Sequence, residues 1–196
     1  MQFATPLKED NVNNKAICKL ALNPESTGFF LIIQKKKQYN FLVTCYHSLY
    51  KSIQDENEVE IRLKDEKKYV IDLSCKERLI KCIEDKDIAA VEIINKDHLK
   101  NSVHFLDIDA NYINGYNQYK DKNIFGLYYY KKGKIYLKKG IISEINEKNF
   151  EFKHNIQTDE KSDGSPIILA GNSCVVGMHK KSSFGTFIDE LIKELI

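Results

Sequence analysis

The chain has 196 residues, 42% hydrophobic and 30% charged, enough for one compact unit of two small subdomains and too few for a larger multidomain machine. Lysine and arginine number 30 against 28 acidic residues, a net charge of +2, so no field of one sign is available to hold nucleic acid or an anionic membrane. Only Arg62 and Arg78 are arginines, and lysine lacks the planar fork that reads guanine or clamps phosphate.

At the N-terminus, Met1 to Asp10 lacks the cationic start and apolar stretch of a secretory leader. No apolar run approaches the ~18 residues of a membrane span; the longest, Phe29 to Ile33, is strand-sized. Short apolar, β-branched or aromatic runs recur between clusters of Lys, Asn, Asp and Gly, the pattern of a sandwich or barrel. They predict strands over 16–22, 28–34, 39–44, 58–63, 69–73, 78–83 and 87–93. A polar seam from Asn95 to Ser102 follows, and then strands over 103–106, 123–130, 134–143, 150–153, 165–169 and 174–180. Tyr128-Tyr129-Tyr130 reads as a strand with aromatics on both faces.

The last segment changes period. Thr186 and Asp189 have capping-box spacing, and Phe187, Ile188, Leu191, Ile192, Leu195 and Ile196 follow a helical stripe. The expected architecture is all-β, with two tandem six-stranded antiparallel β-barrels over 1–96 and 97–183 and a C-terminal α-helix over 184–196.

Cys18, Cys45, Cys75, Cys82 and Cys174 form no CxxC and no Cys/His set with zinc spacing, so no metal is expected. Gly164 and its neighbours lack the spacing of a phosphate or dinucleotide loop, so no cofactor is expected either. The cysteines read as reduced thiols in a soluble, intracellular protein, with Cys45 and Cys174 as small core residues.

Three segments carry chemistry when taken together. Phe41 to His47 is an apolar strand ending at a histidine, and Asp87 opens the apolar run to Ile93. Thr158 to Ile168 reads TDEKSDGSPII and is followed by Val175 to Lys180. Histidine, then aspartate, then a Gly-Ser-Pro turn is the chain order of chymotrypsin-type peptidases. On these residues the sequence resembles the trypsin-like serine peptidase family over most of its length, and within it the glutamyl-endopeptidase (V8-like) branch and its intracellular relatives. Thr27-Gly28-Phe29-Phe30 is similar to the family's TGFF strand, and Thr44 to His47 to its T-x-x-H motif. Asp87-Ile88-Ala89 is similar to D-[IL]-A, and Gly164-Ser165-Pro166-Ile167 to the end of G-x-S-G-S-P-[IV]. The resemblance implies two perpendicular six-stranded barrels with a peptide-binding site in the cleft between them.

In that site His47 is the general base and Asp87 orients it. The resemblance then places Asp163 where the nucleophilic serine belongs and Lys161 where the oxyanion-hole glycine belongs, beside Gly164. A carboxylate attacking a peptide would give a mixed anhydride, and its charge opposes an oxyanion whose stabilisation by one donor is worth about 3–4 kcal/mol. Two carboxylates around His47 also favour imidazolium, which is no base. Ser162 is an alternative nucleophile if the turn shifts by one residue. Thr158 and His179 occupy positions that contact the P1 side chain in the glutamyl-endopeptidase branch, implying P1 Glu or Gln, and Gly177 would let a peptide backbone approach. Secreted relatives pair a cysteine just after the histidine, where this chain has Ser48.

The leading expectation is a pseudoprotease that binds a peptide or protein in the cleft, without cofactor, nucleic acid or membrane. Its competitor is an active serine endopeptidase using His47, Asp87 and Ser162, or one whose serine at 163 has been replaced by Asp163. A structural barrel subunit of a larger assembly is the third reading.

Overall fold

The computed structural model describes residues 5–6, 12–22, 24–129, 134–158 and 161–195. Tyr130, Asp159, Glu160, Ile196 and most of Met1 to Asp10, all used above, lie outside the described residues. The first strands are β1 (Thr5–Pro6), β2 (Ile17–Leu20), β3 (Ser26–Gln34), β4 (Gln38–Cys45), β5 (Glu58–Arg62), β6 (Lys68–Asp72), β7 (Ile80–Ile83) and β8 (Ile88–Glu92). After them come β9 (Leu106–Asp107), β10 (Asn123–Tyr129), β11 (Ile135–Asn146), β12 (Glu151–His154), β13 (Pro166–Leu169), β14 (Val175–His179) and β15 (Phe184–Phe187). Two short helices, α1 (Tyr46–Lys51) and α2 (Glu190–Lys193), complete the regular elements that matter here.

The expected all-β, two-barrel plan is present. The second sheet runs β1-β11-β10-β13-β14-β15-β12 and returns through a β11–β12 pairing, which closes a six-stranded antiparallel barrel. The first sheet runs β6-β5-β2-β3-β4-β8-β7 and curls into a half-barrel, with no pairing of β6 to β7 among the described residues. Arg78 bridges that gap. Its Nε donates to the Asp72 carbonyl at the end of β6 (2.8 Å), and its guanidinium also donates to the Glu92 carbonyl of β8. The same guanidinium forks onto both carboxylate oxygens of Asp97 (2.8 and 2.7 Å).

Strand alternation explains why so many runs are apolar throughout. Phe29, Leu31, Phe41 and Val43 face a core shared between the two sheets, where they meet Leu127 and Met178. Phe30, Leu42, Ala89 and Val91 point the other way, into the hollow of the first sheet's own curl. A strand buried on both faces loses the polar half of its alternation. The second barrel is filled separately, around Phe152, Ile142 and Phe187.

The C-terminal segment departs from expectation. Residues 184–187 form β15, in which the fully buried Thr186 pairs with Glu151 and Met178, so it caps no helix. The helix is the single turn of α2. Phe184, Thr186 and Phe187 favour strand, and the barrel needs a strand between β14 and β12 to close; that pairing overrides the helical stripe. Asp189 is also no capping-box partner, since its buried carboxylate accepts from the Tyr116 hydroxyl at 2.8 Å. Cys18 and Cys45 are fully buried, whereas Cys174 is half-buried and just precedes β14. Beyond the polar seam the chain keeps its hold on the first sheet: Leu106 and Asp107 pair with Leu31 and Ile32, and Ile108 then bridges to Val175 of the second.

Candidate active site

β4 ends at Cys45, and the chain turns directly into α1, which carries His47 in its first turn. The adjacent β8 pairs with β4 in the register Cys45↔Ile88, which brings the residue before β8 against the start of α1. That residue, Asp87, adopts left-handed backbone (φ 58°), a conformation aspartate tolerates better than most. Its carbonyl accepts from the Tyr46 N–H (3.1 Å), and its Oδ1 accepts from the His47 N–H (2.9 Å). Its Oδ2 lies 2.8 Å from His47 Nδ1. The imidazole is thus held by backbone and side chain together, with Nε2 on the side of the second sheet's Asp163.

Asp163 faces that nitrogen, with Oδ2 3.5 Å from His47 Nε2. It is presented by the turn before β13. Gly164 has φ 85°, and a Cβ there would lie 2.1 Å from the Thr27 carbonyl oxygen and 2.5 Å from Thr44 Oγ1, so only glycine fits. The Gly164 N–H donates to the His179 carbonyl (2.9 Å), and the Ser165 N–H to the Ser162 carbonyl (3.0 Å). Lys161 does not share Gly164's left-handed backbone, and its ammonium pairs with Glu25, which also holds Lys19. Ser162 is fully buried, whereas the Asp163 side chain keeps 22% of its surface exposed.

Thr27 was noted in the sequence only as part of a motif, yet it organises this turn. Its N–H donates to the Asp163 carbonyl (3.0 Å) and its hydroxyl donates to the Lys161 carbonyl (2.9 Å). The same hydroxyl accepts from the Tyr129 N–H (3.4 Å), and its carbonyl accepts from Thr44 Oγ1 (2.9 Å).

A pair of imidazoles lies behind Asp163. His179 Nε2 is 3.6 Å from Asp163 Oδ1, and His179 Nδ1 is 3.0 Å from His154 Nε2. Sequence reading missed His154; its signal is its place two residues after Phe152, on the same buried face of β12. Burial pushes His154 down to about 4 and, together with His154 itself, His179 down to about 3, so both rings are neutral near pH 7. His47 goes the other way. The Asp163 carboxylate at Nε2, and after it the hydrogen bond to Asp87, raise it to about 9, and it rests as imidazolium. Burial favours the protonated form of Asp87, but the His47 ring and N–H outweigh it and hold the carboxyl below its usual range.

The residues expected to receive a P1 side chain make internal contacts. The Thr158 hydroxyl donates to the Ser182 carbonyl (2.9 Å), and the buried His179 is engaged as described. Gly177 packs tightly on the side a Cβ would occupy. The space beside it is filled by Phe152, whose Cε1 would lie 2.5 Å from an added Cβ. Cys45, His47 and Asp87 bring ligand-type atoms within 4.8 Å of one another. Burial raises the Cys45 thiol well above its usual range, and its Sγ lies 3.5 Å from the His179 carbonyl oxygen.

These two sheets, joined by a short crossing segment, have the fold of the trypsin-like serine proteases. Solved structures similar to the chain include Deg5, at 15% identity over 95% of this chain and 94% of that one, with a TM-score of 0.63. The MamO protease domain of Magnetospirillum magneticum is similar at 10% identity, covering 95% and 98%, with a TM-score of 0.65. A serine endoprotease of Yersinia pestis is similar at 12% identity, covering 97% of this chain and 66% of that one, also with a TM-score of 0.65. No protein-family model matches the sequence, and no curated protein matches it.

Proposed function

We propose that the chain is a trypsin-like peptidase homologue of the glutamyl-endopeptidase branch that has given up peptide hydrolysis and holds a peptide or protein segment in its groove. The observation carrying this reading is the Asp163 carboxylate opposite His47 Nε2, where acyl transfer needs an activated hydroxyl. The imidazolium state of His47 agrees with it, because a protonated ring cannot take a proton from a nucleophile. The burial of Ser162 argues against the competing active enzyme.

In this reading Thr158 and His179 border the pocket for the ligand's P1 residue. Glutamine suits it better than glutamate, because Asp87 and Asp163 repel a further carboxylate. The proposed division keeps a first subdomain over 1–96 and starts the second at 97, extended past 183 because β15 closes its barrel. The near-neutral net charge supports a protein rather than a nucleic-acid partner, and the free cysteines support a reducing, intracellular location. No helix of the described residues is long and apolar enough to cross a membrane.

The test is a fluorophosphonate probe on the folded protein, with fluorescent peptides carrying Gln or Glu titrated in parallel. The expected result is no covalent label and tighter binding of the Gln peptide. Labelling at Ser162 would overturn the reading.

A further inference from the structure

We infer that Asp163 is a nucleophile toward saturated carbon, and that the groove opens small epoxides to diols with His47 as proton carrier and His179 as oxyanion donor. The inference needs the geometry of Asp87, His47, Asp163, His179 and His154 and does not rest on a bound peptide. A carboxylate is a poor choice against a peptide carbonyl because the product is an anhydride. Against an epoxide carbon the product is an ordinary alkyl ester, a covalent intermediate that water can release.

The arrangement meets each requirement of such a cycle. Asp163 keeps part of its side chain exposed, while both oxygens of Asp87 are taken up by His47. A proton for the departing oxygen stands next to the nucleophile, on His47 Nε2, 3.5 Å from Asp163 Oδ2. The other oxygen, Oδ1, faces His179 Nε2 at 3.6 Å, within reach of tightening as charge develops there. His154 sets the tautomer that makes this nitrogen a donor. His154 Nδ1 is buried without a partner, so the lower-cost assignment leaves a bare lone pair there and not an orphaned N–H. His154 Nε2–H then donates to His179 Nδ1, and the His179 proton sits on Nε2, toward Asp163.

The steps balance. Asp163 Oδ2 attacks an epoxide carbon, that carbon–oxygen bond breaks, and the alkoxide takes the Nε2 proton of His47, leaving a neutral ester and a neutral imidazole. Esterification removes the Asp163 charge, the leading influence that keeps His47 protonated, so the ring can now serve as base. Water attacks the ester carbonyl as His47 takes its proton, and His179 Nε2–H stabilises the oxyanion. The tetrahedral species expels the alkoxide, which takes the proton of the carboxylic acid just formed. Diol departs, and carboxylate and imidazolium are restored. An epoxide is favoured over an alkyl halide because its leaving oxygen needs the proton that resting His47 carries.

The experiment incubates the full chain, in excess over styrene oxide, in heavy-oxygen water for about one turnover. The expected diol carries ordinary oxygen drawn from Asp163, and the peptide containing Asp163 gains the heavy isotope. Asp163→Asn should reduce diol formation to the buffer rate, and His47→Gln should lower it roughly 100-fold or more. Diol no faster than in buffer, heavy oxygen in the first-turnover diol, or full activity in Asp163→Asn would each overturn the inference. Alkylation confined to the exposed Cys82 thiol, seen by peptide mapping, would do so too. The fluorophosphonate experiment reads serine reactivity alone, so the two proposals fail separately.

Discussion

Asp163 Oδ2 approaches His47 Nε2 to 3.5 Å while Asp87 Oδ2 holds Nδ1 of the same ring at 2.8 Å. One imidazole therefore lies between two carboxylates, and its protonation is the site's most measurable property. Following the His47 ring by NMR should give an apparent pKa near 9, falling toward the ordinary 6.5 in Asp163→Asn. Because the folded value is raised, the stabilisation is complete below pH 6.5 and is lost as pH rises through 9. Urea unfolding across that window should show a smaller decline for Asp163→Asn than for the parent chain.

His154 and His179 impose the opposite dependence. Their folded values of about 4 and about 3 lie below the ordinary 6.5, so the unfolded chain binds protons first as pH falls. Stability should drop progressively below pH 6.5. His154→Phe removes one of the two groups, and its acid limb in urea titrations should be shallower.

Glycine positions separate the turn from the surface. Gly164→Ala should cost about 1–3 kcal/mol from backbone strain alone, with the clash against Thr27 added. Gly171→Ala, with nothing within 4 Å, should stay within about 0.5 kcal/mol of the parent. Phe152→Ala should cost about 3–5 kcal/mol, since that ring fills the space beside both Gly177 and Gly185. Thermal melts compare all three.

Arg78→Ala should destabilise by about 3–5 kcal/mol, because it leaves Asp97, with 5% side-chain exposure, buried and unpaired. Replacing both by apolar residues should recover much of that loss. Hydrogen exchange should report the single substitution first at the end of β6 and the end of β8, whose carbonyls Arg78 joins.

Asp163→Ser restores a hydroxyl opposite His47. Slow fluorophosphonate labelling at position 163 is the expected result, accelerated when Lys161→Gly is added. Absence of label in the double variant would show that the turn cannot present a nucleophile at all.

The strands of the shared core were readable because burial on both faces writes unbroken apolar runs such as Phe29 to Ile33. The order of His47, Asp87 and the Gly-Ser-Pro turn was readable for the same reason, since each follows or precedes such a run. Phe187 was misread because its neighbours satisfy a helical period while barrel closure demands a strand. Gly177 illustrates a different limit: a glycine marks close approach, but only coordinates reveal that Phe152 is what approaches. The link from His154 through His179 to Asp163 joins three separate segments and has no local signature.

Thr27 belongs to the first sheet, yet its bonds to Asp163, Lys161 and Tyr129 fasten it to the second, and the crossing at Ile108 repeats the join elsewhere. His47 and Asp163 consequently face each other across a join made by several hydrogen bonds. An incoming molecule is spared the cost of domain closure and must match a gap already set. Its association should therefore be a single bimolecular phase without a slower isomerisation behind it.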